Sequence, residues 1–276
     1  MRRTLVVLLA ASVLTIGMIT PAAAITKGQD DFAHPYVGLL DDGNFACSGT
    51  LLDATVMITA AHCFGDPNFP SAYGEVDGAP IVEVTFSQQG FFDPDAEFIF
   101  GLWYPDPEFC IACGGGLPGF DRHDLAVVIL FEPVVMAQYG ALPDVGLVDA
   151  LPIKNPVDQV GFGVQSFARG RAACEITGEP PCTPTPDAFF TRQAATGTLG
   201  SRNHVLADQF MKVNGAKGGT CFGDSGGPNF QGGTNVVLAV TSFGTNGNCA
   251  GNGWNYRVDT QHAQEFIASV IAEHGS

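Results

Sequence analysis

Residues 220–228 read Thr-Cys-Phe-Gly-Asp-Ser-Gly-Gly-Pro. A serine set among glycines after an aspartate favours a tight turn that exposes its hydroxyl. The neighbouring backbone N–H groups are then free to face a substrate oxygen. A serine alone is a weak nucleophile and needs a base with a carboxylate behind it. Ile58-Thr59-Ala60-Ala61-His62-Cys63 supplies an imidazole, and Asp121-Arg122-His123-Asp124-Leu125-Ala126-Val127-Val128 supplies a carboxylate leading into an apolar run. The chemistry this set would perform is acyl transfer: Ser225 attacks a carbonyl, His62 moves the proton and Asp124 orients the ring. Taken singly, each has a plainer reading, as a polar turn, a structural histidine and a strand-edge aspartate. Their weight lies in the combination. His123 would face away from Asp124 in an extended chain and reads as a surface or supporting residue. His34, His204, His262 and His274 have no partner motif and read as structural.

The elements that must position these residues are short. Apolar runs at Tyr36–Leu40, Val56–Thr59, Ile81–Phe86, Leu125–Phe131, Val160–Val164 and Val236–Phe243 are separated by Gly, Pro, Asn and Asp. Many short strands with turn punctuation predict a sandwich or barrel. One helix closes the chain: after Asp259 or Thr260 as N-cap, Phe266, Ile267, Val270 and Ile271 share a face. Residues 87–122 and 169–187 read as locally stapled surface insertions. The first holds Cys110-Ile-Ala-Cys113 and, with its phenylalanines and Trp103, could cover a cleft. The second holds Cys174, Cys182 and four prolines.

Arg2 and Arg3, an apolar run from Leu5 to about Ile19, Pro21 and Ala22-Ala23-Ala24 have the layout of a secretory signal peptide. Cleavage after Ala24 would leave a chain of about 250 residues beginning Ile25-Thr26-Lys27-Gly28. The whole chain carries a net charge of −16; losing two arginines and no acid takes it to −18. Such an acidic surface argues against nucleic acid and anionic membranes as partners. Eight cysteines in an exported chain point to disulfides, with about 105 possible pairings. A lone Cys110-x-x-Cys113 without a second ligand pair is weak support for zinc.

The order His, Asp, Ser is carried by Thr59-Ala60-Ala61-His62-Cys63, Asp124-Leu125-Ala126 and Gly223-Asp224-Ser225-Gly226-Gly227-Pro228. With these motifs the chain resembles the chymotrypsin/trypsin-like serine proteases, as a secreted, bacterial-type member. The resemblance covers essentially residues 25–274. It implies an all-β fold of two six-stranded antiparallel β-barrels, approximately 25–140 and 141–258, with a C-terminal α-helix at 260–273. It also implies a secreted serine endopeptidase that forms an acyl-enzyme, with an oxyanion hole at the N–H groups of Gly223 and Ser225.

Further implications concern the termini, cysteines and pocket. A free Ile25 ammonium would pair with Asp224, although Ile25-Thr26-Lys27-Gly28 departs at two positions from the family's Ile-Val-Gly-Gly. Cys47 would bridge Cys63, and Cys221 would bridge Cys249, leaving Cys110–Cys113 and Cys174–Cys182 as local pairs. The pocket base would be Gly219, narrowed by Thr220. One wall would be Ser242-Phe243-Gly244, and the other would run from Gly251 to Gly253. An uncharged pocket favours a large apolar or aromatic P1 side chain over Lys or Arg. Glu75, Asp77, Asp93, Asp95 and Glu97 lie near where some relatives hold calcium, but read as a solvated acidic surface. No metal or other cofactor is expected. The expected partner is a polypeptide substrate, with no nucleic acid, no membrane once the leader is removed, and a monomeric state. Two other readings remain: a protease-like binding protein with a blocked cleft, and an esterase on the same scaffold.

Overall fold

The structure is a computed structural model. It describes residues 25, 26, 28–66, 68–110, 122–168, 185–188, 190–204, 209–215, 218–244, 249 and 251–275. The leader 1–24, Cys113, Cys174 and Cys182 fall outside those residues.

The strands run in order β1 (Gln29–Asp30), β2 (Val37–Asp41), β3 (Ala46–Leu51), β4 (Val56–Thr59), β5 (Glu75–Val76), β6 (Ala79–Thr85), β7 (Ile99–Pro105) and β8 (Ala126–Leu130). A short helix α1 (Leu147–Ala150) follows. Then come β9 (Pro156–Gly161), β10 (Ser166–Ala168), β11 (Thr185–Ala188), β12 (Gln193–Ser201), β13 (Phe210–Asn214), β14 (Pro228–Gln231), β15 (Val237–Gly244), β16 (Asn252–Arg257) and helix α2 (Gln261–His274).

These strands form two closed six-stranded antiparallel barrels. The first has the order β2-β3-β4-β8-β7-β6 and closes through β2–β6, with β5 folded onto β6 as a small hairpin. The second has the order β12-β13-β16-β15-β14-β9 and closes through β12–β9. β1 adds to β12, so the N-terminal segment belongs to the second barrel's sheet rather than to the first. β10 and β11 pair as a separate ribbon.

The sequence patterns explain the layering. β8 is Ala-Val-Val-Ile-Leu with every residue buried, because one face looks into its barrel and α2 packs against it. The Thr260 hydroxyl caps α2 by accepting the Ala263 N–H at 3.2 Å. Phe266, Ile267 and Val270 are buried beneath α2 as its periodicity predicts. Arg192 crosses between barrels: its guanidinium donates to the carbonyls of Val37 (3.1 Å) and Phe86 (3.0 Å) and approaches the Asp31 carboxylate.

Two expectations are corrected. Residues 87–122 are not one surface insertion, since they contain β7, an integral barrel strand with Trp103 buried edge-on against Phe64. The Val160–Val164 run is not one strand either. β9 ends at Gly161, because Gly163 leaves the sheet to donate its N–H to Asp224 at 2.8 Å.

Candidate active site

His62 sits in a single 3-10 turn, Ala61–Cys63, just after β4. Asp124 stands two residues before the start of β8, which pairs with β4, so the two side chains arise from neighbouring strand ends. His62 Nδ1 lies 2.7 Å from Asp124 Oδ2, and the His62 backbone N–H donates to Asp124 Oδ1 at 2.9 Å. The carboxylate only accepts, so Nδ1 carries the proton and Nε2 is left with its lone pair. That Nε2 lies 2.8 Å from Ser225 Oγ.

Asp124 is fully buried, which opposes its ionisation. The charge and hydrogen bonds of His62, with the hydroxyl of Ser242, outweigh burial and hold the carboxyl below its ordinary value.

The turn around Ser225 is shaped by two glycines. Gly223 has φ +92°, and a Cβ there would lie 2.9 Å from Gly163 Cα. Gly226 has φ +76°, and a Cβ there would collide with Thr59 and the backbone of Ser48 and Ala60, the segment leading to His62. Among the described residues, the N–H groups of Asp224, Gly226 and Gly227 donate to backbone carbonyls, whereas those of Gly223 and Ser225 donate to none. Those two donors are the pair an oxyanion would need.

Two serines, Ser48 and Ser242, support the site through partners far away in sequence. Ser48 Oγ donates to the Gly223 carbonyl at 2.8 Å and accepts the Phe162 N–H at 2.9 Å. The Ser48 N–H donates to the Ser225 carbonyl at 2.8 Å. This first-barrel serine therefore fixes the turn of the second barrel that carries Ser225. The only sequence signal is a serine beside Cys47 in a short, largely covered strand. Ser242, expected in a pocket wall, donates its hydroxyl to Asp124 Oδ2, a role the sequence does not signal.

Asp224 points the other way. Its fully buried carboxyl accepts N–H bonds from Cys221 and Gly163, both 2.8 Å, and packs where side chains on Gly161 and Gly163 would clash. Burial pushes it up to about 7, only partly offset by those two donors. Ile25 is also buried, and Thr26 is tied to the second barrel: its N–H donates to the Gly219 carbonyl at 3.1 Å and its hydroxyl accepts the Gly219 N–H at 3.2 Å.

The other pocket residues separate into roles. Gly244 pairs with Gly253 across β15 and β16, and Thr220 Oγ1 lies 3.1 Å from where a Cβ on Gly253 would sit. Thr220 thus fills part of the space that the glycines leave. Phe243 packs edge-on against Phe210 at 5.6 Å and pairs with Trp254 across the strands. Residues 245–248 and 250 lie outside those described.

A cleft of about 610 Å³ opens beside Ser225 and His62. Its walls are Phe45, Phe64, Phe109 and Phe222 over the Cys47–Cys63 bridge, and none of the expected pocket residues lines it. Trp103, expected to be able to cover a cleft, is buried instead. Cys47–Cys63 and Cys221–Cys249 are disulfides, with Cα–Cα distances of 6.2 and 5.1 Å. Cys110 is also disulfide-bonded, while its expected partner Cys113 and the pair Cys174–Cys182 fall outside the described residues. Glu75, Asp77, Asp93, Asp95 and Glu97 do not converge as metal ligands among the described residues. His123 turns away from the Ser225 site toward Asp106 and His262.

Two closed barrels with a hydrogen-bonded Ser, His and Asp at their junction define the class, a chymotrypsin-like serine peptidase. The family model described as Trypsin matches residues 26–267. The chain belongs to the trypsin family and is a serine-type endopeptidase. The solved structure of HL collagenase is similar, with a TM-score of 0.59 over 91% of this chain and 99% of that one. At 17% identity that likeness carries the fold alone.

Proposed function

We propose that Ser225, His62 and Asp124 hydrolyse peptide bonds through an acyl-enzyme, with the oxyanion held by the N–H groups of Gly223 and Ser225. The single observation that carries this reading is the 2.8 Å approach of His62 Nε2 to Ser225 Oγ, with Asp124 behind the ring. Ser225 attacks the carbonyl as its proton passes to Nε2. The imidazolium is stabilised by Asp124 and then protonates the leaving amine. Water repeats the sequence on the acyl-enzyme. A cleft that reaches Ser225, with Trp103 withdrawn into the core, favours catalysis over a blocked binding protein.

The protein is read as exported, with residues 1–24 removed to leave Ile25 as the terminus. A buried carboxyl with no cation is costly. The raised Asp224, with Thr26 docked on Gly219 of the same segment, supports an ammonium at Ile25 as its partner. On the acyl side, Gly219 puts no charge at the pocket base, so an apolar or aromatic P1 residue is preferred over Lys or Arg. On the leaving-group side, the phenylalanine-lined cleft accepts an apolar residue. N-terminal sequencing of the secreted protein and a peptide-library cleavage profile test the reading. A start at Ile25 and apolar P1 residues support it; a different start overturns the activation pair, and Lys or Arg at P1 overturns the pocket assignment.

A further inference from the structure

Away from Ser225, one cluster brings together side chains that share a ligand chemistry. Asp106 follows β7, and its side chain is fully buried. Its Oδ1 accepts the Glu108 N–H at 2.9 Å, which leaves Oδ2 facing two imidazoles. His262, in the first turn of α2, brings Nε2 to 2.7 Å from Oδ2. His123 brings Nδ1 to 3.9 Å from the same oxygen. One ligand atom from each of the three residues lies within 4.8 Å of the others.

A plain hydrogen-bonding role accounts for His262 but not for His123. One imidazole already occupies Oδ2, and 3.9 Å is too long for a second hydrogen bond. Two further neighbours of the His123 ring, Tyr256 Oη and Gln209 Nε2, both lie at 3.5 Å, the outer limit of such a bond. The His123 backbone is also left-handed, with φ +54°, which is uncommon for a residue with a side chain. The ring is thus turned inward onto a carboxylate oxygen that it does not properly engage.

We propose that Asp106, His123 and His262 form a binding site for a divalent transition ion of the zinc type. Two imidazoles and a carboxylate suit Zn²⁺, Ni²⁺ or Cu²⁺, whereas Ca²⁺ and Mg²⁺ take sets of oxygen ligands. Ligands of a tetrahedral zinc, at about 2.0–2.2 Å from the ion, stand about 3.3 Å apart. The three atoms reach that spacing when the His262 contact opens slightly and the His123 ring moves inward. Solvent reaches the site, because His262 is 38% exposed and His123 15%. The exposed Glu108 carboxylate, 3.6 Å from His123 Nε2, faces the ring nitrogen that does not bind the ion, where it can orient the imidazole; water fills the open fourth position. The three ligands come from the end of β7, the segment preceding Asp124, and α2. A bound ion therefore pins the C-terminal helix to the strand end that carries Asp124, and stabilises the fold by binding only the folded chain.

The test is zinc titration of chelator-treated full-length protein, followed by calorimetry and thermal unfolding. One equivalent of Zn²⁺ is expected to bind, raising Tm by about 5–10 °C at a hundredfold excess over Kd, with no rise from Ca²⁺ or Mg²⁺. Co²⁺ is expected to give the visible absorption of a tetrahedral site. His123→Gln and His262→Gln are each expected to weaken zinc binding by at least about tenfold. If His123→Gln fails to fold, the helix-surface variant His262→Gln decides alone. No zinc binding by the wild type, or binding that His262→Gln leaves unchanged, overturns the proposal.

Discussion

The hydroxyl of Ser48, on the first barrel, donates to the carbonyl of Gly223, on the second, at 2.8 Å. The same oxygen accepts the Phe162 N–H, so one side chain fixes the peptide that follows Gly223 and braces the strand end beside it. In the proposed mechanism the N–H on the other side of the Gly223 Cα holds the oxyanion.

Ser48→Ala is therefore expected to lower kcat by about tenfold to a hundredfold with KM little changed, because the donor is misaimed rather than removed. The Phe162 N–H is left unsatisfied, costing about 1–3 kcal/mol of stability. Steady-state kinetics and urea unfolding measure the two effects. An unchanged kcat would refute the positioning role.

Ser242→Ala removes a donor that helps hold Asp124 below the ordinary carboxyl range. With that donor gone, the coupled Asp124–His62 pair binds its proton more tightly. The acid limb of the kcat/KM profile should then move to higher pH, with the plateau down by about tenfold. A pH–rate profile measures both. A fall in the plateau without movement of the limb would mean that Ser242 acts only through packing.

Asp224 links activation to pH. In a chain extended beyond Ile25, its folded value stands at about 7, above the ordinary 3.8. An acid raised in this way stabilises the fold fully below about pH 4, and that stabilisation is lost as the pH rises toward 7. An ammonium at Ile25 would lower the folded value and remove the loss. Thermal unfolding of inactive Ser225→Ala protein, with and without an N-terminal extension, compares the two. The extended form should lose Tm between pH 4 and 7, while the form beginning at Ile25 should not. Parallel curves would contradict the pairing.

Phe222 is 61% exposed on the lip of the cleft beside Ser225. Phe222→Ala should lower kcat/KM by about tenfold for peptides with a large apolar residue just after the scissile bond, given roughly 1.5–3 kcal/mol for burying such a side chain. Peptides with glycine there should be little affected. Equal losses on both would mean that Phe222 shapes the turn rather than the subsite.

The legible parts of this molecule were those where local chemistry leaves no freedom. Gly226 must lack a Cβ to pack on the segment carrying His62, so the string around Ser225 stands out in the bare sequence. β8 reads as an unbroken apolar run because both its faces are covered. β12 is not legible because Gln-Ala-Ala-Thr-Gly-Thr-Leu-Gly-Ser has little alternation; it is a strand because β9 and β13 pair with it on either side. β7 reads as part of an insertion because the phenylalanines of residues 87–122 sit among Pro, Gly and Asp, although Trp103 faces the core. The roles of Ser48 and Ser242 are non-local, reaching partners 175 and 118 residues away, and no window of sequence contains both ends.

The central claim is that Ser225 is the nucleophile. A fluorophosphonate probe should label the processed wild type once, at Ser225. Ser225→Ala should take no label and lose about 10⁵–10⁶ in kcat. A wild type that takes no label, or a Ser225→Ala variant labelled as fully as the wild type, would contradict the account.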